Sequence, residues 1–129
     1  MGGNYMTFLK SLAPYAHWGL RLSLAATFIV HGLGKFPPDG FAQGMGLPLP
    51  VAWLVPLGEV GAGIALIGGA VLSRDILTRI GGLLVIVIML GAIFLVHLKN
   101  GFNTMNGGYE FQLLMLVTGL YFLTKGNDV

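Results

Sequence analysis

Charge is the scarcest feature of this 129-residue sequence: Asp, Glu, Lys and Arg make up 9% of it, while 55% is hydrophobic. Soluble domains carry about 25% charged residues, so a water-facing surface cannot be covered here. Soluble enzymes, nucleic-acid binders and disordered tails are excluded on that ground, and no nucleic acid is expected as a partner. Cysteine is absent altogether. Its absence removes disulfides, thiol catalysis, iron–sulfur ligation and thiol–disulfide exchange. It also argues against small membrane oxidoreductases that work through CxxC pairs. The net charge of +2 is too small to make a basic face.

What is present is apolar sequence in long runs. At about 20 residues per helical span, four stretches qualify: 14–35, 51–72, 76–98 and 109–124. The expected fold is all-α: one integral membrane domain over 1–129, a four-helix transmembrane bundle embedded in lipid. At 1.5 Å per residue the fourth stretch is only ~24 Å long and must cross nearly upright or in a thinned bilayer. In the segment 4–13, Tyr5, Phe8, Leu9 and Leu12 share one helical face, as in a short interfacial helix with Lys10 toward water. The connection 36–50 is rich in proline and glycine, which predicts no regular helix throughout it. Its Phe36, Phe41, Met45, Leu47 and Leu49 predict that it folds back onto the bundle or into the interface. Residues 73–75 read as a tight turn, and 99–108 carry two Asn-Gly turn signals.

Lys10, Arg74, Arg79 and Lys125 fall at the end of the spans where both termini lie, with Arg21 near them; only Lys35 and Lys99 fall at the other. The positive-inside rule then places both termini in the cytoplasm. Trp18, Trp53, Tyr109 and Tyr121 lie near predicted helix ends, as in an aromatic belt.

An ionisable group at mid-span costs ~2.5–3.5 kcal/mol on insertion scales, so those present are informative. On the first helix His17, Arg21, Leu24, Phe28, His31 and Lys35 recur at helical spacing and predict a polar seam facing the interior. On the third, Arg79 and His97 are spaced by whole turns and predict a shared face. Glu59 is the sole charge of the second span, among small residues that let helices approach. Glu110 opens the fourth, followed by Gln112. Each has a structural reading beside the functional one. Arg79 fits a snorkelling role, and Lys35, Glu110 and His17 fit interfacial positions. Arg21 and Glu59 fit either a structural ion pair or a ligand or proton site, although their backbones should differ in height by ~10 Å. His31 and His97 fit hydrogen-bonded interior histidines. Two histidines alone do not specify haem, and no metal site is expected.

Several motifs stand in a fixed order: R-L-x8-H-G-x-x-K-F over 21–36, G-L-P over 46–48, G-E-V-G-A-G over 58–63, T-R at 78–79, and H-L-K-N-G-F-N-T-M-N-G-G-Y-E over 97–110. In their order and spacing the chain resembles the DoxX family of small four-helix bacterial membrane proteins, over roughly 15–126. The resemblance implies a multi-pass protein of the bacterial inner membrane. Related members form the membrane part of thiosulfate:quinone oxidoreductases, and others sit in membrane complexes linked to thiol and oxidative stress. Carried over by position, the family's polar residues fall on Arg21, His31, Lys35, Glu59, Arg79, His97 and Glu110. These are the candidate ligand-binding or proton-relay residues; no catalytic residue is assigned. The sequence shows no soluble domain suited to thiosulfate.

The leading functional expectation is therefore the membrane subunit of a quinone-linked oxidoreductase system. It would carry no intrinsic cofactor, take a quinone among His31, Glu59 and His97 with Arg21 tuning Glu59, and rely on partner subunits for electrons. One alternative is a non-catalytic accessory subunit of a larger membrane complex, or a homo-oligomer, whose polar seam fixes helix register. Another is a transporter of protons or a small solute.

Overall fold

A computed structural model describes residues 2–129 and contains helices and no strands among them. Six α-helices follow one another: α1 (Gly2–Leu12), α2 (Ala16–Leu33), α3 (Pro38–Met45), α4 (Leu49–Val71), α5 (Asp75–Ala92) and α6 (Glu110–Lys125). Two of them, α4 and α5 with its extension to Asn100, are long and apolar enough to cross a bilayer.

The helix boundaries follow local chemistry. Proline opens α3 and α4, where its missing N–H costs nothing. Gly46 ends α3 in the left-handed region at φ 64°. No helix runs throughout 36–50, as expected, but its middle forms one: the proline pair initiates α3 and Gly46 terminates it. The helix folds back on α4, with Pro38 and Ala42 buried and Phe36 edge-on to Trp53 at 5.9 Å.

A correction concerns the end of α5. Residues Ile93–His97 form a π-turn, followed by a 3-10 turn over Leu98–Asn100. The wider turn breaks the 3.6-residue register, so Arg79 and His97 do not continue one face.

In chain order the large helices pack α2 on α4, α4 on α5 and α5 on α6, while α2 and α6 barely meet directly. Leu24, Phe28, Leu66, Val85, Met89, Met115 and Phe122 fill the interior. Small residues set the helix spacing. A Cβ added to Gly82 of α5 would lie 2.5 Å from the Gly119 carbonyl oxygen of α6. The outside is apolar: Val30, Leu54, Ile64, Val87, Phe94, Leu95 and Leu114 are all exposed. An apolar exterior around a few buried polar groups is the arrangement that lipid as solvent requires. Helix α1 stands apart, with Tyr5, Phe8, Leu9 and Leu12 exposed.

Because backbone blocks any side chain at Gly82, Gly82→Ala should destabilise the protein by ~1–3 kcal/mol. Gly61→Ala, where an added Cβ meets nothing within 4 Å, should leave stability unchanged or slightly raised. Unfolding of both variants in detergent checks the contrast.

Candidate functional site

The polar side chains gather at the two ends of the helix assembly, with the apolar core between them. The first cluster lies where the N-terminus of α2, the C-terminus of α4, the N-terminus of α5 and the C-terminus of α6 converge. Arg21 is its centre, with no exposed surface. Its Nη1 donates to the Leu66 carbonyl of α4 at 2.6 Å and to Thr78 Oγ1 of α5 at 2.8 Å. Its Nη2 donates to Asn127 Oδ1 at 3.3 Å, and its Nε to His17 Nδ1 at 3.3 Å. The guanidinium also lies 4.9 Å from the centre of the Phe122 ring of α6.

Asn127 ties the segment after α6 into this cluster. Its Oδ1 accepts from Thr78 at 2.6 Å, its Nδ2 donates to the Gly69 carbonyl at 2.9 Å, and its backbone N–H donates to Asp75 Oδ1 at 2.7 Å. Gly126, at φ 58°, makes the turn that brings Asn127 back, and Asp75 packs where its side chain would be. Arg79 donates to Asp75 Oδ2 at 2.7 Å and to the Leu123 and Thr124 carbonyls at 2.9 and 2.8 Å. It caps the carbonyl end of α6, where the helix dipole favours a cation.

At the opposite end, Glu59 of α4 is 4% exposed and Lys35 reaches it. The ammonium lies 3.0 and 3.1 Å from the two carboxylate oxygens. Lys35 also donates to the His31 carbonyl at 3.3 Å and lies 5.6 Å from the centre of the Phe41 ring of α3. The neighbouring Gly32 lets α2 close on α4: an added Cβ there would come within 3.0 Å of Glu59 Cβ.

His31 does not face the interior. It is exposed, and its ring makes no hydrogen bond among the described residues. On a helix wheel His31 lies about 80° from Arg21. The buried face follows the Arg21, Ala25, Phe28 and Gly32 side, which leaves His31 on the outer flank.

His97 is separate again. Its Nδ1 pairs with the Gly107 carbonyl at 2.8 Å, while Glu110 Oε1 accepts from the Thr104 N–H at 3.0 Å. Both brace the loop between α5 and α6. The expected set of His31, Glu59 and His97 is thus not one cluster.

Nor does Arg21 meet Glu59; its carbonyl partner Leu66 is seven residues further along α4, ~10 Å at the helical rise. Thr78, Asn127 and Asp75 did not emerge from the spacing of ionisable residues. Thr78 stands beside Arg79 in the T-R motif, but Asn127 lies beyond the last helix, where periodicity carries no signal. Gln112 Oε1 is buried without a partner. No group of three or more His, Asp or Glu residues suited to a metal occurs among the described residues.

The DoxX family model matches residues 17–98. The chain belongs to the DoxX family. It is also similar to a protein of Bacillus subtilis (strain 168) named "Putative oxidoreductase CatD", with 36% identity over 112 residues that cover 84% of this chain and 77% of that one. No solved structure matches the chain significantly. The family match spans Arg21, the Lys35–Glu59 pair, Arg79 and His97, and ends before Glu110 and Asn127.

The Lys35–Glu59 pair gives a sharp energetic test. Lys35→Met strands a buried carboxylate and should destabilise the protein by ~3–5 kcal/mol, whereas Lys35→Met with Glu59→Leu should recover most of that loss. At the other end Asn127→Ala should cost ~1–3 kcal/mol by leaving buried groups unpaired. Detergent unfolding of the single and double variants measures each.

Proposed function

We propose that this DoxX protein is a four-helix membrane subunit of a quinone-linked oxidoreductase, set in the bacterial inner membrane with both termini cytoplasmic. The carrying observation is the juxtaposition on α2 and α4. A histidine whose ring has no hydrogen-bond partner among the described residues is exposed, as are Val30 and Leu33 near it in sequence, one turn from the pair of half-buried Lys35 and buried Glu59. The oxidoreductase name of the Bacillus subtilis relative supports the chemical class.

Quinone reduction to quinol takes two electrons and two protons, and quinone is the electron-accepting group here. The residues present fit a head group that arrives from the lipid. The His31 ring offers a donor for a carbonyl oxygen, with Val30 and Leu33 exposed on either side of it in the sequence. The Glu59–Lys35 pair lies about one helical turn along the chain from it, with the Phe41 ring centre 5.6 Å from the ammonium. A partner protein supplies the electrons, since the chain has no cysteine and its side chains include no electron-carrying group. Glu110 and His97 serve the loop and Arg79 the end of α6, so none of the three belongs to the head-group contact.

A second reading, that of an accessory subunit, is favoured by the Arg21 and Arg79 clusters, whose hydrogen bonds join helix to helix. Transport is disfavoured by Leu24, Phe28, Leu66, Val85 and Met89, which fill the space between the polar ends.

Binding of a soluble quinone analogue to the purified protein, followed by tryptophan fluorescence, tests the leading reading. His31→Ala should weaken binding at least fivefold, and Glu59→Gln should leave binding measurable while slowing quinol formation in the presence of a partner dehydrogenase. Unchanged affinity in His31→Ala would overturn the site. A C-terminal alkaline phosphatase fusion should be inactive if the termini are cytoplasmic.

A further inference from the structure

The Arg21 cluster holds more positive charge than its hydrogen bonds account for. Every acceptor on the guanidinium is neutral: two side-chain oxygens, one backbone carbonyl and one imidazole nitrogen. Four of its five N–H bonds have acceptors; the remaining Nη2–H has none among the described residues. The carboxylate in the neighbourhood, Asp75, has one oxygen on Arg79 and the other on the Asn127 N–H. Its charge is therefore matched by Arg79. The carbonyl end of α4 offsets part of the Arg21 charge, but no carboxylate hydrogen-bonds it among the described residues.

Above this cation lies an open cleft of about 390 Å³, bordered by His17, Trp18, Arg21, Ser73, Asp75 and Asn127. The rim offers donors. Because His17 Nδ1 accepts from Arg21, the neutral ring carries its proton on Nε2. The Ser73 hydroxyl stands at the turn between α4 and α5, where the residue adopts φ 53°. Arg21 has no exposed surface, so it supplies field and the rim groups supply the hydrogen bonds. In a medium of low dielectric that field is far stronger than in water.

We propose that this cleft is an oxyanion site for a phosphate group, at the opposite end of the protein from His31. The cleft is much roomier than a bare phosphate needs, and Leu20, Leu22 and Val71, close in sequence to its lining residues Arg21 and Ser73, are exposed. A phospholipid head group or a free phosphate offers the same chemistry. A phosphate here completes the electrostatics of Arg21, and Ser73 and His17 read its oxygens.

The test uses the full-length purified chain, with phosphatidylglycerol added as mixed micelles and inorganic phosphate added against sodium chloride at equal ionic strength. Thermal unfolding and native mass spectrometry report binding. A rise in melting temperature with phosphatidylglycerol alone assigns a lipid phosphate; a rise with inorganic phosphate as well assigns the oxyanion in general. Ser73→Asp places a carboxylate at the rim without touching the Arg21 hydrogen bonds, and should weaken binding at least tenfold while the protein stays folded. The proposal is overturned if neither probe binds above the chloride control, if Ser73→Asp binds as well as the parent, or if an uncharged diacylglycerol binds equally.

Discussion

A single arginine closes the ring of helices. Helices α2 and α6 barely touch, yet Arg21 of α2 reaches α4 through Leu66, α5 through Thr78, the segment after α6 through Asn127, and α6 itself through the Phe122 ring. Burying a guanidinium costs several kcal/mol unless its donors are satisfied. Hydrogen bonds to a charged group contribute ~1.5–3 kcal/mol each, so the cost is offset only when all four elements stand in their places. The arginine thus makes the assembly cooperative: displacing any neighbour leaves a buried charge under-satisfied. Such specificity matters most where the hydrophobic effect is silent, since lipid tails are as apolar as leucine and do not drive helices together.

The same logic explains why cations crowd this end. Arg21 sits near the carbonyl terminus of α4 and Arg79 on that of α6. Each places a cation near the negative end of a helix dipole, and Arg79 also satisfies carbonyls in the last turn of α6. The far end works differently. There α2 ends and α4 continues, and a formal ion pair, Lys35–Glu59, bridges them under the cover of α3. One end is pinned by many neutral acceptors around a fixed charge. The other rests on one ion pair between two side chains.

The large helices were readable from their apolar runs, two of which are long and apolar enough to cross a membrane, and so was the interior role of Arg21, Leu24 and Phe28. The misplacements share a cause: periodicity assumes an unbroken α-helix and says nothing about which neighbour approaches. His31 lies at the edge of the seam, and Gly32, by admitting α4 so closely, decides that the edge faces outward. The π-turn at Ile93–His97 resets the register between Arg79 and His97 without any proline or glycine inside it to announce the break. Asn127 follows a glycine beyond the last helix, and only the tertiary fold shows that it returns to Thr78 and Gly69. The prolines of 36–50 rule out one helix throughout that stretch, yet Pro38, at the first turn, initiates the short α3.

The contrast between the ends bears on where chemistry fits. A group that must accept and release protons cannot be the keystone of the assembly, because each cycle would loosen the helices. Arg21 and Arg79 meet the requirement of permanence: guanidinium stays protonated at any accessible pH. Glu59 and Lys35 form a single ion pair, with fewer hydrogen bonds to the surrounding helices than Arg21 makes. His31 lies exposed on the adjacent flank, its ring free of hydrogen bonds among the described residues. The division follows from hydrogen-bonding capacity: the arginines hold the frame at one end through many acceptors, and a single ion pair joins the helices at the other.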